Sequence, residues 1–498
     1  MAATVLLHVI ANVLAQHAGY GLFRDELYFI MCGRHLAWGY VDQPPVVALA
    51  TRFSELVFGL HSLALFRLLP AIAGAAEVAL TGLIAWELGG GVMAQALAMT
   101  GILLAPMALG IDGYVSMNCF EPIFWMTIAF AVLRMAHGGD KRWWLVVGVA
   151  GGLSLETKWN ALFFFVELLA ALLLSPQRKL LASRWFACCV VLISALALPN
   201  VIWEVRHDWP TLVWLHNEVV GGKNVILAPL PFFTSQIVAF GWVACLLWLG
   251  GVAWLLFGRG AKQVRFAGIL YVLYLPLMVA MHAKDYYLAA IYPLYFAAGG
   301  VACELLLWRR WQRRVLLPLY AVLLVVGDVL ALPVTLPVLR PVQYVRYAKW
   351  LHAKPQVTQT FDHSPLPQYL ADMLGWHEMA DKLAEAYWSL QPGERAKAVI
   401  FGDNYGEASA VNIYRPDVPP AISGHQNYFY WGPRGHDGSV VIVIGQKRAD
   451  LEKEFNSVTE VAQTTNEWVE PYERRPIFIC LGLHVDLRVL WPKVKYWY

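Results

Sequence analysis

Arg24, Asp25, Glu26 and Asp42 crowd into one short segment just past the first apolar stretch of the chain. Around them the residues read Tyr-Gly-Leu-Phe-Arg-Asp-Glu-Leu-Tyr from Tyr20 to Tyr28, and Gly-Tyr-Val-Asp-Gln-Pro-Pro from Gly39 to Pro45. An adjacent Asp-Glu pair suits proton transfer, and charges near a membrane are costly unless they pair or do chemistry. Leu22, Phe23, Leu27, Tyr28, Phe29 and Ile30 frame the pair with apolar mass. A carboxylate framed in this way tends to lose solvent and becomes a better base. The plainer reading is a run of solvated loop charge. Asp42 either caps the helix-like run that begins at the prolines and continues through Phe58, or faces Asp25 across a cavity, and the two are compatible.

The elements that must hold these residues are membrane helices. Of 498 residues, 58% are hydrophobic and 15% are charged, where soluble domains carry about 25% charged residues. Mean hydropathy is +0.51. The apolar residues gather in runs long enough to cross a bilayer as helix, about eleven in all, near residues 3–20, 62–87, 92–110, 120–137, 143–157, 160–175, 185–203, 232–257, 266–282, 286–306 and 315–333. The fifth and sixth are short and read as a broken pair around Glu156, Thr157 and Lys158. A net charge of +3 and the lack of any basic block with interleaved aromatics argue against nucleic acid. The N-terminus has no basic leader segment and reads as a first span.

Basic residues concentrate in cytoplasmic loops. Arg134, Lys141 and Arg142, then Arg178, Lys179 and Arg184, then Arg259, Lys262 and Arg265, then Arg309, Arg310, Arg313 and Arg314 all fall on one side if the N-terminus is cytoplasmic. The opposite face collects Asp25, Glu26, Asp42, Asp112, Glu121, Glu156, Glu204, Asp208, Glu218 and Asp285, with Lys158, His207, His216, Lys223 and Lys284. These side chains are expected to converge on one outward-facing pocket. Lys158 and Lys284 either snorkel to the interface or neutralise a phosphate. The setting Lys284-Asp285-Tyr286-Tyr287 favours the second role for Lys284. Past residue 340 the runs shorten and charge rises. A helix over 366–390 and strands at Ala398–Phe401, Ser439–Gly445 and Ile477–Leu481 predict an α/β domain, 341–498, after a membrane domain, 1–340. The seven cysteines show neither disulfide nor metal-ligand spacing.

Phe-Arg-Asp-Glu-Leu-Tyr (23–28), His-Leu-Ala-Trp-Gly-Tyr-Val-Asp-Gln-Pro-Pro (35–45), Lys-Asp-Tyr-Tyr with a later Tyr-Pro (284–293) and Trp-Gly-Pro (431–433) resemble the polyprenyl-phosphate-dependent glycosyltransferases of the GT-C superfamily. Protein O-mannosyltransferases and the aminoarabinose transferase of lipid A are of this kind. The resemblance implies a membrane all-α GT-C bundle with interfacial helices in the first external loop, and a soluble C-terminal α/β domain outside a bacterial inner membrane. It also implies a sugar donor on polyprenyl phosphate and a hydroxyl acceptor.

Carried over by position, Asp25 matches the first-loop acid at the reaction centre, with Glu26 and Asp42 beside it, while Tyr28 and Tyr40 resemble residues lining the donor cavity. Gln43 stands where aminoarabinose transferases have a lysine, and Leu27 near where they have an arginine. The phosphate-binding candidates are therefore Lys158, Lys284 and Arg24, and Gln43, Asp285, Tyr286 and Tyr287 complete the expected donor-binding set. The expected reaction is direct displacement with inversion. An acceptor hydroxyl must lose its proton as it attacks, and the phosphate leaving group gains negative charge that a cation stabilises. The scheme needs no cofactor and leaves a divalent metal open. The rival is a transporter or flippase of lipid-linked glycans, for which mid-span charges such as Glu77 and Asp328 would line a path.

Overall fold

The computed structural model describes every residue except Lys223, 307–309, 354–358 and Phe361, and the side chains of Arg310 and Arg313. Of the sequence expectations, those on Lys223, Arg309 and the side chains of Arg310 and Arg313 lie outside the described residues. The chain forms two compact units. One holds Met1–Leu14, Gln43–Trp203 and Ile226–Val338, and the other holds Ala15–Asp42, Glu204–Val225 and Leu339–Tyr498. Packing therefore groups two pieces from the first 340 residues with the C-terminal stretch.

The first unit is helical. Among the described residues five helices are long and apolar enough to cross a membrane: Leu68–Glu87, Met117–Ala136, Arg184–Arg206, Asp285–Leu306 and Arg314–Thr335, with Arg184–Arg206 running on into the second unit. Six shorter apolar helices accompany them. Four of these, Val92–Leu104, Trp143–Leu155, Ala161–Leu173 and Cys245–Phe257, have 13 residues each. Such a helix rises about 20 Å, short of an apolar core about 30 Å thick.

The shortness has local causes. Pro106 opens a separate helix, Pro106–Ile111, because its ring cannot continue the preceding one. Gly241, at φ +91°, separates Pro229–Ala239 from Cys245–Phe257. Glycine also sets the closest helix contact. Gly251 and Gly299 let Cys245–Phe257 lie directly on Tyr292–Leu306, and a methyl at either would meet backbone of the other helix. Val46–Phe58 buries Val47, Ala48, Thr51 and Ser54 while exposing Leu49, Phe53, Leu56 and Val57.

The second unit carries a four-stranded mixed sheet in the order β1-β2-β4-β3. Its strands are β1 (Ala398–Gly402), β2 (Val440–Ile444), β3 (Phe455–Gln463) and β4 (Pro476–Leu483). β1 and β2 run parallel, and β4 is antiparallel to both β2 and β3. Val399, Val441, Val443, Phe478 and Cys480 build its core with Leu451, Leu487 and Trp491. The helix expected over 366–390 is two, Gln368–Ala371 and Trp376–Ser389, divided by Gly375 at φ +81°. Trp376–Ser389 packs on Tyr405–Tyr414, and Tyr405–Tyr414 in turn packs on Arg24–Arg34.

Candidate functional site

The Arg24–Arg34 helix starts with Asp25 and Glu26 in its first turn, where carboxylates complement the exposed N–H groups. The two acids then part company. Glu26 is fully buried and accepts the Phe23 backbone N–H at 2.9 Å, closing the helix start. Asp25 turns outward with its side chain one-third exposed, 34%. Its Oδ1 accepts the Tyr405 hydroxyl at 2.7 Å and lies 3.7 Å from Arg24 Nε. Among the described residues, Asp25 Oδ2 has no hydrogen-bond partner.

Arg24 is committed elsewhere within the same unit. Its Nη1 donates to the Tyr472 hydroxyl at 2.8 Å and its Nη2 lies 3.6 Å from Asp372 Oδ2. Burial pushes the Asp372 carboxyl up to about 6, against the downward pull of the Arg24 charge.

Asp42 does not cap the helix that follows it, whose N-cap is Pro45. Its Oδ1 accepts the Tyr28 hydroxyl at 3.0 Å. The Tyr28 and Tyr405 rings are stacked, with centroids 4.6 Å apart, so the two aspartates are each held by one tyrosine of a stacked pair. His425 stacks on Tyr405 at 4.8 Å. Desolvation pushes the Asp42 carboxyl up to about 7, and the nearby Asp25 charge adds to this while the Tyr28 hydrogen bond opposes it. Tyr40 is fully buried, and its hydroxyl donates to the Cys32 carbonyl at 2.9 Å, fixing the loop that presents Asp42. Asn427 Oδ1 accepts the Val41 N–H at 2.6 Å and steadies the same loop.

The first unit holds the cationic candidates. Lys158 sits in the break between Trp143–Leu155 and Ala161–Leu173. Its Nζ donates to Asn118 Oδ1 at 2.7 Å and lies 3.5 Å from Glu121 Oε2. It also lies 4.2 Å from the centroid of the Tyr287 ring and 5.4 Å from that of Tyr286. Burial holds the ammonium below the usual lysine value, and Glu121 only partly restores it. Lys158, Tyr286 and Tyr287, far apart in sequence, are thus one cluster. Asp285 is buried, and its carbonyl accepts Gln236 Nε2 at 3.1 Å, anchoring this segment. Lys284 stands partly exposed at the start of the short helix Asp285–Ile291. Gln43 is buried, and its amide has no hydrogen-bond partner among the described residues. The Val46 N–H donates to the Glu156 carbonyl at 3.0 Å and ties the next helix to the Lys158 loop.

The sequence marks Asp403-Asn404-Tyr405-Gly406-Glu407 as either an acceptor-binding segment or a turn, but it does not show the bond from Tyr405 to Asp25, the parts played by Tyr472, Asp372 and Asn118, or the pairing role of Glu121. One signal was available: Asn404 followed by Glu407 is a capping pattern, and it does start a helix. Asn404 Oδ1 accepts from Gly406 and Glu407 at 2.8 and 3.1 Å, and Glu407 accepts from the Asn404 N–H at 3.1 Å. Among the described residues no group of three or more His, Cys, Asp or Glu is arranged to hold a metal ion.

Residues 42–203 match the family model described as dolichyl-phosphate-mannose-protein mannosyltransferase. The lipid A galacturonosyltransferase RgtD of Rhizobium johnstonii is 26% identical over 305 residues, a match covering 58% of this chain and 62% of that protein. The chain thus aligns with less than two-thirds of that relative's length. The fold is similar to that of ArnT from Cupriavidus metallidurans bound to undecaprenyl phosphate, at TM-score 0.64 and 14% identity over 96% of this chain and 97% of that one. The same protein in the apo state gives TM-score 0.63 at 15% identity, over 96% of this chain and 98% of the other. The helical fold is shared.

Proposed function

We propose that this chain is a relative of the polyprenyl-phosphate glycosyltransferases of the GT-C superfamily, an integral-membrane glycosyltransferase that moves a sugar from a polyprenyl-phosphate donor to a hydroxyl acceptor. The reading includes eleven spans with a cytoplasmic N-terminus, interfacial helices in the first external loop, and residues 341–498 outside a bacterial inner membrane. The exposed apolar stripe of Val46–Phe58, with Thr51 and Ser54 turned inward, supports an interfacial helix, because lipid is the solvent that suits such a face.

Asp25 is the proposed base. The single observation carrying the assignment is that one of its oxygens is fixed by Tyr405 while the other has no partner among the described residues. The acceptor hydroxyl gives its proton to Asp25 as its oxygen attacks the anomeric carbon. The C–O bond to the phosphate breaks on the opposite face, which inverts the centre. Polyprenyl phosphate departs with added charge, and Lys158 is the proposed cation that stabilises it, with Lys284 in support. Arg24 is engaged with Asp372 and Tyr472, so its contribution is to hold the first turn that carries Asp25.

The test is incubation of the purified protein with a panel of polyprenyl-phosphate hexoses and pentoses plus membrane-lipid acceptors, with lipid products followed by mass spectrometry. Release of polyprenyl phosphate from one donor is the expected result. A flippase would move labelled lipid between leaflets and leave its covalent structure intact.

A further inference from the structure

We propose that Tyr405, supplied by the C-terminal stretch, is a positioning residue for Asp25, making that stretch part of the reacting centre. The proposal rests on the assignment of Asp25 as the base. The hydroxyl of Tyr405 donates to Asp25 Oδ1 at 2.7 Å across 380 residues of chain. Its ring is held on two sides, by Tyr28 at 4.6 Å with a 28° tilt and by His425 at 4.8 Å with a 14° tilt. The backbone is fixed as well, because the Tyr405 N–H donates to His425 Nδ1 at 3.2 Å and Asn404 caps the helix that Tyr405 begins. The Arg24 guanidinium sits 5.9 Å from the ring centroid.

A side chain locked on this many sides presents its one polar atom in a fixed place. The phenol stays protonated, since burial and the neighbouring carboxylates drive its ionisation well above the usual tyrosine value, so it remains a donor. A carboxylate acting as base must aim one lone pair at the acceptor proton, and free rotation about its bonds would lose that aim. By holding Oδ1, Tyr405 leaves Oδ2 as the proton-accepting atom. Tyr28 holds Asp42 in the same manner, and stacking makes the two tyrosines one rigid plate.

The experiment compares Tyr405→Phe, Asp25→Asn and the double variant in full-length protein with a working polyprenyl-phosphate donor. Tyr405→Phe keeps the stack and removes only the hydroxyl. Its kcat is expected to fall about 10–100-fold, the fold-change that goes with losing a hydrogen bond to a charged group, with donor KM within about twofold. The double variant is no slower than Asp25→Asn alone.

A fluorinated tyrosine at 405 keeps ring and hydroxyl, and should keep kcat within a few-fold of wild type even if the phenylalanine variant folds poorly. Wild-type kcat in Tyr405→Phe, with Asp25→Asn inactive, would overturn the role of Tyr405 and leave the base intact. Full turnover in Asp25→Asn would instead remove the base assignment on which the proposal stands.

Discussion

Replacing Lys158 by methionine separates two jobs that the structure gives this side chain. Lys158 and Glu121 are 13% and 5% exposed, with Nζ and Oε2 3.5 Å apart. At an effective dielectric of about 20, unit charges at that distance attract by roughly 5 kcal/mol. Removing one partner of a buried pair strands the other, at a cost of about 3–5 kcal/mol. Lys158→Met should therefore lower stability by that amount and abolish turnover. Lys158→Met combined with Glu121→Gln leaves no stranded charge and should recover stability to within about 1 kcal/mol. Turnover should nevertheless stay at least about 100-fold down, because no cation meets the departing phosphate. The assays are thermal unfolding in detergent and release of polyprenyl phosphate from labelled donor, with Glu121→Gln alone completing the cycle. A double variant that turned over at the wild-type rate would refute the reasoning, since Lys158 would then serve only to neutralise Glu121.

Asp42 supplies a pH test. Folded Asp42 keeps its proton to about 7, while an unfolded aspartate releases it near pH 4. The native state therefore binds the extra proton between those values, and this group's contribution falls as pH rises from about 4 to about 7. Asp42→Asn should flatten that part of the stability–pH curve and remove an ionisation near neutrality from the rate profile. A slope and profile identical to wild type would count against it. Glu26→Gln should lower stability by about 1–2 kcal/mol through a weakened bond to the Phe23 N–H, with kcat per folded molecule unchanged. A collapse of kcat in that variant would assign chemistry to Glu26. Gly299→Ala drives a methyl into the Leu247 carbonyl and should cost about 1–3 kcal/mol. Gly250→Ala meets nothing within 4 Å and should be neutral, so equal melting of the pair would argue against close packing there.

What could be read from sequence depended on range. Apolar runs marked the membrane helices because burial in lipid leaves no other composition, and β1, β2 and β4 were visible as short apolar runs for a similar reason. β3 was not, because Asn456, Ser457, Glu460 and Gln463 lie along a mostly exposed edge strand and leave no apolar run to notice. Asp25 and Lys158 drew attention as charges in apolar company, and the structure gives both specific partners. Glu26 looked as reactive as its neighbour, but the helix start claims it. Tyr405 could not be matched to Asp25 from sequence, since no periodicity relates residues 380 apart. The grouping of 15–42 and 204–225 with the C-terminal stretch was hidden for the same reason: composition reports which segments are apolar, not which distant segments pack together.

The most direct measurement is single-turnover release of polyprenyl phosphate by Asp25→Asn beside wild type, using whichever donor the wild-type protein consumes. Matched unfolding temperatures would establish that both are folded. Loss of a general base predicts a rate about 10²–10⁴-fold lower with donor binding retained. Release at the wild-type rate would contradict the account.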